Sequence, residues 1–394
     1  MTRTFPADPA AMAHAVAAAV VLKADDGARA ANPYYWHRAQ PLLTAVLTEI
    51  DSYGDADLAA ATAELLGDPR SVGAWERVHE LVAASVTDAA TAPLVRAARE
   101  VAMKSRLDYH IGHRYDPAAE PDPDWRSWPG AGPSGGADPE VQVVVPFRDR
   151  SASGTRARNL LACLSALADQ SASRESYHVT VVESDDADRW RDVISNHVDE
   201  YFFAPHRGDF NKCWTVNVGV VNTARPAPLV CVLDADALVD REFIERNAAR
   251  FHRRGAGGFL PFRDLFYLDA AASARAVGHR RTGSPRPDPA SLRGFLVHRA
   301  PGVCVWLRRD VFEAIGGMDE RFEGWGREDI DFVLRAQLAT AFDQYDDQML
   351  HLHHPSSAQL SDGHTVNAHI PLLSWAPTEP IGRLDRFPAE PVRH

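Results

Sequence analysis

The stretch Leu229-Val230-Cys231-Val232-Leu233-Asp234-Ala235-Asp236 decides the fold. Five consecutive apolar residues predict a strand buried on both faces, and two carboxylates follow it directly. Two similar runs precede it at residues 141–145 and 178–182, with helical apolar spacing over residues 160–167 between them. This alternation predicts an open, mostly parallel α/β sheet, whose ligand lies outside the carboxyl ends of the strands.

Composition excludes several classes of protein. The chain of 394 residues has 42 Lys plus Arg against 54 Asp plus Glu, so its formal charge is 42 − 54 = −12, which argues against nucleic-acid binding. The apolar stretch at residues 11–22 is too short for a membrane span, so no transmembrane segment is expected. The scarcity of Lys beside Arg, together with abundant Ala, indicates a high-GC bacterial genome. Four cysteines with no close pair suggest neither disulfides nor a zinc knuckle and favour a reducing cytoplasm: Cys163, Cys213, Cys231 and Cys304.

Three parts follow from the pattern along the chain. Residues 1–115 have helical spacing and predict an all-α N-terminal domain, whose first helix has Asp8 as N-cap and Pro9 at the first helical position. Residues 116–139 are rich in Pro and Gly and predict a linker. Residues 140–394 form the predicted α/β domain. Three roles stay open for the N-terminal helices: binding an acceptor, forming a homodimer, or buttressing the sheet.

The segment from Arg263 to Arg299 is less regular and contains three prolines, so we expect a mobile loop there. It carries a run of basic residues in an otherwise acidic protein, which suggests a nearby anionic ligand. We further expect this segment to close over a bound ligand and exclude water. The basic residues are His279, Arg280, Arg281, Arg286 and Arg293.

Asp234 and Asp236, one residue apart at the end of a strand, could share a hard divalent cation that neutralises a diphosphate. A solvated strand end explains the same residues equally well.

A second cluster, Gly324-Trp325-Gly326-Arg327-Glu328-Asp329, leads into a helical run. There Glu328 and Asp329 either stabilise the helix N-terminus or provide a carboxylate that accepts a proton from an alcohol.

Three histidines lie within four residues in His351-Leu352-His353-His354-Pro355. At the end of a predicted strand, they could supply imidazole ligands to a metal ion whose other ligands are carboxylates. An iron site with two histidines and one carboxylate is a rival interpretation. The order of the clusters along the chain does not separate the two interpretations.

With these segments in view, residues 141–355 resemble the GT-A fold nucleotide-sugar glycosyltransferases. The likeness is to the family-two enzymes and to the β-1,4-galactosyltransferase and polypeptide N-acetylgalactosaminyltransferase relatives. Four segments carry it in order, and the last is close to the galactosyltransferase signature Gly-Trp-Gly-Gly-Glu-Asp. They are Pro146-Phe147-Arg148-Asp149-Arg150, Phe210-Asn211-Lys212 with Asn217-Val218-Gly219, Asp234-Ala235-Asp236, and Gly324-Trp325-Gly326-Arg327-Glu328-Asp329.

The resemblance implies a role for each matched residue. It implies that Asp236 ligates the metal with His351 and His354, His353 being an alternative ligand. It implies that Asp329 is the catalytic base and that Glu328 helps to bind the acceptor. The family usually has Gly in place of Arg327, so we expect this arginine to contact the donor diphosphate or the acceptor. The implied donor-binding residues are Pro146, Phe147, Arg148, Arg150, Glu183, Asp185, Phe210, Lys212, Asp234 and Trp325.

The implied reaction is that of an inverting hexosyltransferase that depends on Mn²⁺ or Mg²⁺. It moves a sugar from a nucleoside diphosphate sugar, with uridine favoured as the base, to a hydroxyl acceptor that the sequence does not identify. A nucleotidyltransferase is one alternative, but it should have a Gly-rich loop where this chain has Pro146-Phe147-Arg148. A non-catalytic module that binds sugar nucleotides or glycans is another.

Overall fold

The structure is a computed structural model that describes residues 8–86, 89–130, 132–134, 138–253, 255–356 and 360–387. It divides into two compact units. The first contains the described residues of Met1–Pro121, Asp264–Ala276 and Asp288–Arg299, and the second contains those of Asp122–Arg263, Val277–Pro287 and Ala300–His394. The three-part division at residues 115 and 139 stays a prediction, and Gly135 and Gly136 of the predicted linker lie outside the described residues.

Helices dominate the N-terminal region, as the sequence predicts. The first begins as expected, because Asp8 caps it by accepting a hydrogen bond from the backbone N–H of Ala10 and Pro9 occupies its first turn. None of the described helices combines the length and apolarity needed to cross a bilayer. The α-helices are α1 (Pro9–Ala24), α2 (Asp26–Ala31), α3 (Pro33–Tyr53), α4 (Ala56–Gly67), α5 (Val72–Ser85), α6 (Ala92–Lys104), α7 (Thr155–Ala168), α8 (Arg191–Ile194), α9 (Lys212–Asn222), α10 (Phe243–Arg250), α11 (Ala270–Arg281), α12 (Arg309–Ala314) and α13 (Glu328–Ala339).

The strands include all three that the apolar runs predict. They are β1 (Leu107–Ile111), β2 (Val141–Phe147), β3 (Tyr177–Glu183), β4 (Glu200–Phe203), β5 (Leu229–Leu233), β6 (Ala237–Leu238), β7 (Ala256–Leu260), β8 (Asp264–Leu268), β9 (Arg293–His298), β10 (Cys304–Arg308), β11 (Ala341–Gln344), β12 (Met349–His351), β13 (Leu360–Ser361) and β14 (His364–Thr365).

The N-terminal helical region ends in a strand, β1, which pairs antiparallel with β9, and β9 pairs antiparallel with β8. One expectation from the sequence is wrong. The segment from Arg263 to Arg299, predicted as a mobile loop, contains β8, α11 and β9, with residues 282–292 connecting α11 to β9. The apolar runs of β8 and β9 are short and lie near prolines and arginines, so the sequence pattern did not reveal these two strands.

The second unit is built on a seven-stranded sheet with the order β11-β7-β10-β5-β2-β3-β4. Strand β2 is parallel to both β3 and β5, β4 is parallel to β3, and β10 is antiparallel to β5 and β7. The α/β class with a mostly parallel sheet, preceded by a helical region, is therefore confirmed. Val144 pairs with Val232 and Phe147 with Glu183, so the carboxyl ends of β2, β3 and β5 meet at one edge.

The core of the second unit lies between this sheet and helices α9, α12 and α13. Apolar side chains from each helix join those of β2, β5 and β10, among them Val216, Phe312 and Phe332. Helix α9 approaches the sheet closely at Gly219, where an added Cβ would lie 2.6 Å from Val144 Cγ1. Only glycine fits there without a shift of the helix, so Gly219 fixes the height of α9, and of Lys212 in its first turn, above the strands.

Arg293 is the buried cation of the first unit. It is 2% exposed, it donates from Nη1 to Asp269 at 2.9 Å and from Nε to the Tyr109 hydroxyl at 2.9 Å, and it pairs with Asp25. We expect Arg293→Met to lower the free energy of unfolding by about 3–5 kcal/mol, because two carboxylates are left without their countercharge. Urea unfolding followed by circular dichroism measures this loss.

The control for this variant is Arg77→Met, which removes an exposed ion pair with Glu64. Such surface pairs contribute less than about 1 kcal/mol, so the control should unfold near the wild-type midpoint. Equal losses in the two variants would contradict the role given to Arg293.

Candidate active site

Asp236, His351 and His354 come together beyond the end of β5. Asp236 Oδ1 lies 3.4 Å from His351 Nε2, and Asp236 Oδ2 lies 2.9 Å from His354 Nε2. One ligand atom from each residue lies within 4.8 Å of the others, which is close enough to hold one metal ion. The antiparallel pairing of β12 with β6 places His351 opposite Ala237, next to Asp236. Of the three histidines in this segment, His353 is outside the group.

The hydrogen bonds of His354 prepare its ring for a metal ion. Its Nδ1 lies 2.9 Å from the Pro355 carbonyl oxygen, which only accepts, so Nδ1 carries the proton of that bond. The Nε2 lone pair then faces a carboxylate oxygen 2.9 Å away, and a proton or a cation must lie between two such acceptors. Asp236 Oδ1 is buried without a hydrogen-bond partner among the described residues. One carboxylate and two imidazoles therefore fit a divalent transition metal.

Burial and charge act in opposite directions on this group. Burial alone would raise the pKa of Asp236, but the neighbouring His351 and His354 outweigh it and hold that pKa well below its usual value. Burial lowers the pKa of His351 to about 4, against the attraction of Asp236. At neutral pH the group therefore holds an ionised carboxylate beside a neutral His351, which is the protonation state that metal binding requires.

Lys212 joins the strand-end aspartates to the acidic loop. Its Nζ lies 2.7 Å from Asp234 Oδ1 and 2.9 Å from Asp329 Oδ1. Burial would lower the pKa of Lys212, but the two carboxylates raise it well above its ordinary value, so the side chain is a permanent cation. Burial raises the pKa of Asp234 to about 7, and Lys212 opposes this rise. Asp234 and Asp329 thus belong to one site, with a single cation between them.

The turn at residues 301–303 supports both of these aspartates. A Cβ on Gly302 would lie 2.1 Å from Asp329 Oδ2, so only glycine leaves room for that carboxylate. The carbonyl oxygen of Val303 accepts a 2.8 Å hydrogen bond from the backbone N–H of Asp234. Val303 has a φ of 79°, which is strained for a β-branched residue. The strain is localised where the turn contacts the site.

Glu328 begins helix α13 beside Asp329. It is 9% exposed, and its Oε2 has no hydrogen-bond partner among the described residues. Burial, followed by the charge of Asp329, raises the pKa of Glu328 to about 8. At neutral pH Glu328 is therefore mostly a neutral acid that can donate a hydrogen bond.

Arg327 contacts the protein through its guanidinium group, and its contact with the donor or the acceptor stays a prediction. Its Nη1 donates to the carbonyl oxygen of Ala368 at 2.6 Å. Its φ of 79° lies in the left-handed region, which explains why glycine suits this position in the related enzymes.

Four of the expected donor-binding residues form a network at the ends of β2 and β3. Arg148 donates to the carbonyl oxygens of His206 and Gly208, and Arg150 pairs with Asp185 at 2.6 Å. Glu183 accepts hydrogen bonds from the backbone N–H groups of Arg189 and Trp190. These contacts brace the strand ends. Their role toward a donor stays a prediction.

The other expected donor-binding residues lie nearby in the second unit. Pro146 and Phe147 are buried at the end of β2, and Trp325 is half-buried in its loop. The ring of Phe210 lies 5.4 Å from the guanidinium of Arg148, and its carbonyl oxygen accepts a hydrogen bond from Gly324. This last bond ties the loop that carries Trp325 to the residues before Lys212.

Three arginines of the basic run at residues 279–293 are paired with carboxylates. Arg280 pairs with Asp169 at 3.0 Å, and Arg281 with Asp122 at 2.6 Å. Arg293 pairs with Asp25 and Asp269 inside the first unit. The expectation of a nearby anionic ligand is wrong for these arginines, because each meets a carboxylate distant in sequence.

Two protein-family models match parts of this chain. Residues 142–316 match the family model of glycosyl transferase family 2, and residues 298–354 match that of the N-terminal domain of galactosyltransferase. The resemblance to the GT-A glycosyltransferases is confirmed. Comparison with curated protein sequences gives no match.

Solved structures with weak likeness include three glycosyltransferases. TarS 1–349 of Staphylococcus aureus is 12% identical with a TM-score of 0.38, over 54% of this chain and 60% of that one. The Drosophila β1,4-galactosyltransferase 7 catalytic domain with xylobiose is 18% identical with a TM-score of 0.33, over 57% and 77%. The Pyrobaculum calidifontis mannosyltransferase PcManGT with GDP-Man and Mn²⁺ is 16% identical with a TM-score of 0.36, over 58% and 61%. The chain thus spans about three-fifths of TarS 1–349 and of the mannosyltransferase.

Sequence reasoning missed three residues of the site. Gly302 and Val303 shape the turn against Asp329 and Asp234, and Arg156 contacts His354 from helix α7. The Pro-Gly dipeptide before Val303 indicates a turn, and that signal could have directed attention to it. Arg156 has no local signal, because its partner lies 198 residues away.

Removal of single imidazoles tests the metal site. We expect His351→Ala and His354→Ala each to weaken Mn²⁺ binding by roughly tenfold or more, since loss of a ligand costs at least as much as loss of its supporting groups. His353→Ala is the matched control and should bind Mn²⁺ like the wild type. Titration followed by electron paramagnetic resonance measures the affinities, and a loss confined to His353→Ala would contradict the assignment.

The raised pKa of Glu328 predicts a pH-dependent stability. Because its folded-state pKa is raised from 4.5 to about 8, its contribution is complete below pH 4.5 and is lost as the pH rises through 8. Glu328→Gln resembles the protonated form, so its melting temperature should match the wild type near pH 5 and exceed it by a few degrees near pH 9. The exposed Glu313→Gln is the control. If the melting temperatures of wild type and Glu328→Gln differ by the same amount at both pH values, the prediction is contradicted.

Proposed function

We propose that this protein is a metal-dependent, inverting glycosyltransferase that moves a sugar from a nucleoside diphosphate sugar to a hydroxyl acceptor. One observation carries the proposal. Lys212 Nζ lies within 3 Å of both Asp234 and Asp329, so the strand-end aspartates and the acidic loop face the same space. A donor held at Asp236 would then present its sugar toward Asp329.

In this proposal Asp236, His351 and His354 hold Mn²⁺ or Mg²⁺. When bound, this ion supplies Lewis-acid stabilisation of the negative charge that develops on the leaving diphosphate. The two imidazoles favour Mn²⁺, because Mg²⁺ prefers oxygen ligands. The same ligand set suits an iron site, and the family match supports the glycosyltransferase interpretation instead.

The acidic loop binds and activates the acceptor. Asp329 accepts the proton of the attacking hydroxyl, while Lys212 and the turn at Gly302 hold its carboxylate in one orientation. Glu328, which is neutral at pH 7, donates a hydrogen bond to an acceptor oxygen. Attack from the side opposite the leaving group inverts the anomeric carbon.

The donor is proposed to be a UDP-sugar, bound along the edge where β2, β3 and β5 end. Glu183 ends β3 in register with Phe147 of β2, and Asp185 follows two residues later; base and ribose would lie beside them. Thermal-shift measurements with UDP, GDP and dTDP, each with and without Mn²⁺, identify the base, because only a ligand of the native state raises the melting temperature.

Two substitutions separate donor binding from transfer. Asp329→Asn should keep metal-dependent binding of the nucleoside diphosphate but lose transfer by about 10²- to 10⁴-fold, because it removes the base alone. Asp236→Ala should lose the metal-dependent binding. The measurements are calorimetry for binding and nucleoside diphosphate release with a panel of hydroxyl acceptors for transfer.

The matched control is the exposed Asp51→Asn, which should lose neither the metal-dependent binding nor the transfer. Undiminished Mn²⁺-dependent binding in Asp236→Ala would refute the metal role. Full transfer by Asp329→Asn would refute the base.

A further inference from the structure

We propose that Arg156 binds the diphosphate of the donor beside the metal ion and stabilises it as it leaves. This inference rests on the proposed function and deepens it. The sequence pointed to other arginines for this task, namely Arg148, Arg150 and the basic run at residues 279–293.

Arg156 lies in the first turn of α7, which follows the end of β2. Its Nη1 is 3.5 Å from Nε2 of His354, the same nitrogen that faces Asp236, and its Nη2 donates to the Pro355 carbonyl oxygen at 3.2 Å. The guanidinium therefore contacts the metal group from the side of the helix.

A fixed cation beside a divalent cation is repulsive, so its presence needs an explanation. Asp236 and Arg156 together carry no net charge, and histidines bind metals as neutral rings. With a divalent ion the site would carry two positive charges. A nucleoside diphosphate ester of a sugar carries two negative charges on its bridging phosphates, so it would neutralise the site. Arginine also matches phosphate oxygens with two parallel donors.

The other candidate arginines contact groups other than the metal ligands. Arg148 donates to three backbone carbonyl oxygens, and Arg150 pairs with the buried Asp185. Arg280 and Arg281 pair with carboxylates away from Asp236. Arg156 is the guanidinium that contacts the metal group directly, and it lies in the first turn of a 14-residue helix, where the helix dipole also favours an anion.

The chemical step shows where the positive charge of Arg156 would act. The bond between the anomeric carbon and the diphosphate oxygen breaks, and its electron pair stays on that oxygen. The acceptor oxygen bonds to the anomeric carbon and gives its proton to Asp329. Arg156 acts on the phosphate oxygens, whose negative charge grows during cleavage.

The test uses Arg156→Gln in the full chain, with calorimetry of Mn²⁺ alone and of the nucleoside diphosphate preferred in the thermal-shift screen. We expect diphosphate binding with Mn²⁺ to weaken roughly 10- to 100-fold, in line with a charge-assisted hydrogen bond, and binding of the free nucleoside to stay unchanged. Mn²⁺ alone should bind more tightly, because a repelling charge is gone. A scaffold role would not produce these opposite effects.

Arg156→Lys should recover part of the diphosphate affinity, and it replaces the glutamine variant if that variant does not fold. The exposed Arg253→Gln is the matched control and should change neither affinity. If the wild type binds the diphosphate with Mn²⁺ and Arg156→Gln has the same affinities, only the role of Arg156 is overturned. If the wild type binds no nucleoside diphosphate with Mn²⁺, the proposed function is overturned as well.

Discussion

The site depends on the gathering of several carboxyl groups at the end of buried strands, where each would be costly to ionise alone. Lys212 makes this possible, because its ammonium group lies between Asp234 and Asp329 and compensates the charge of two carboxylates that are only partly exposed to solvent. Glu328 resolves the remaining repulsion by keeping its proton. One cation and one neutral acid thus allow two aspartates to lie close together. In this part of the site the protein's own side chains compensate the negative charge.

The sheet explains why these groups meet at all. The parallel strands β2, β3 and β5 end at one edge, and helix α9 is seated on them at Gly219, which sets the height of Lys212. Asn217 of the same helix hydrogen-bonds to both the carbonyl oxygen and the N–H of Met318, which anchors the chain that leads to the acidic loop. The position of Asp329 therefore follows from backbone contacts of α9 as much as from its own surroundings.

The sequence predicted what depends on local pattern. The continuous apolar runs identified β2, β3 and β5, and the spacing of His351 and His354 identified a pair that the structure brings to Asp236. It failed where partners are distant. The basic run suggested an anionic ligand, whereas Arg293 meets Asp25, 268 residues away. No local pattern identified Arg156, because a single arginine in a helix is common in sequences. Only its contact with His354 in the folded chain indicates a role.

The turn at Gly302 and Val303 has a mechanical consequence. One short piece of backbone leaves room for the Asp329 carboxylate at Gly302 and accepts a hydrogen bond from the backbone N–H of Asp234 at Val303. A substitution that displaces this turn would therefore disturb the surroundings of both aspartates at once. A bulkier side chain at position 302 would act first on Asp329, whose carboxylate occupies the space that a Cβ would need.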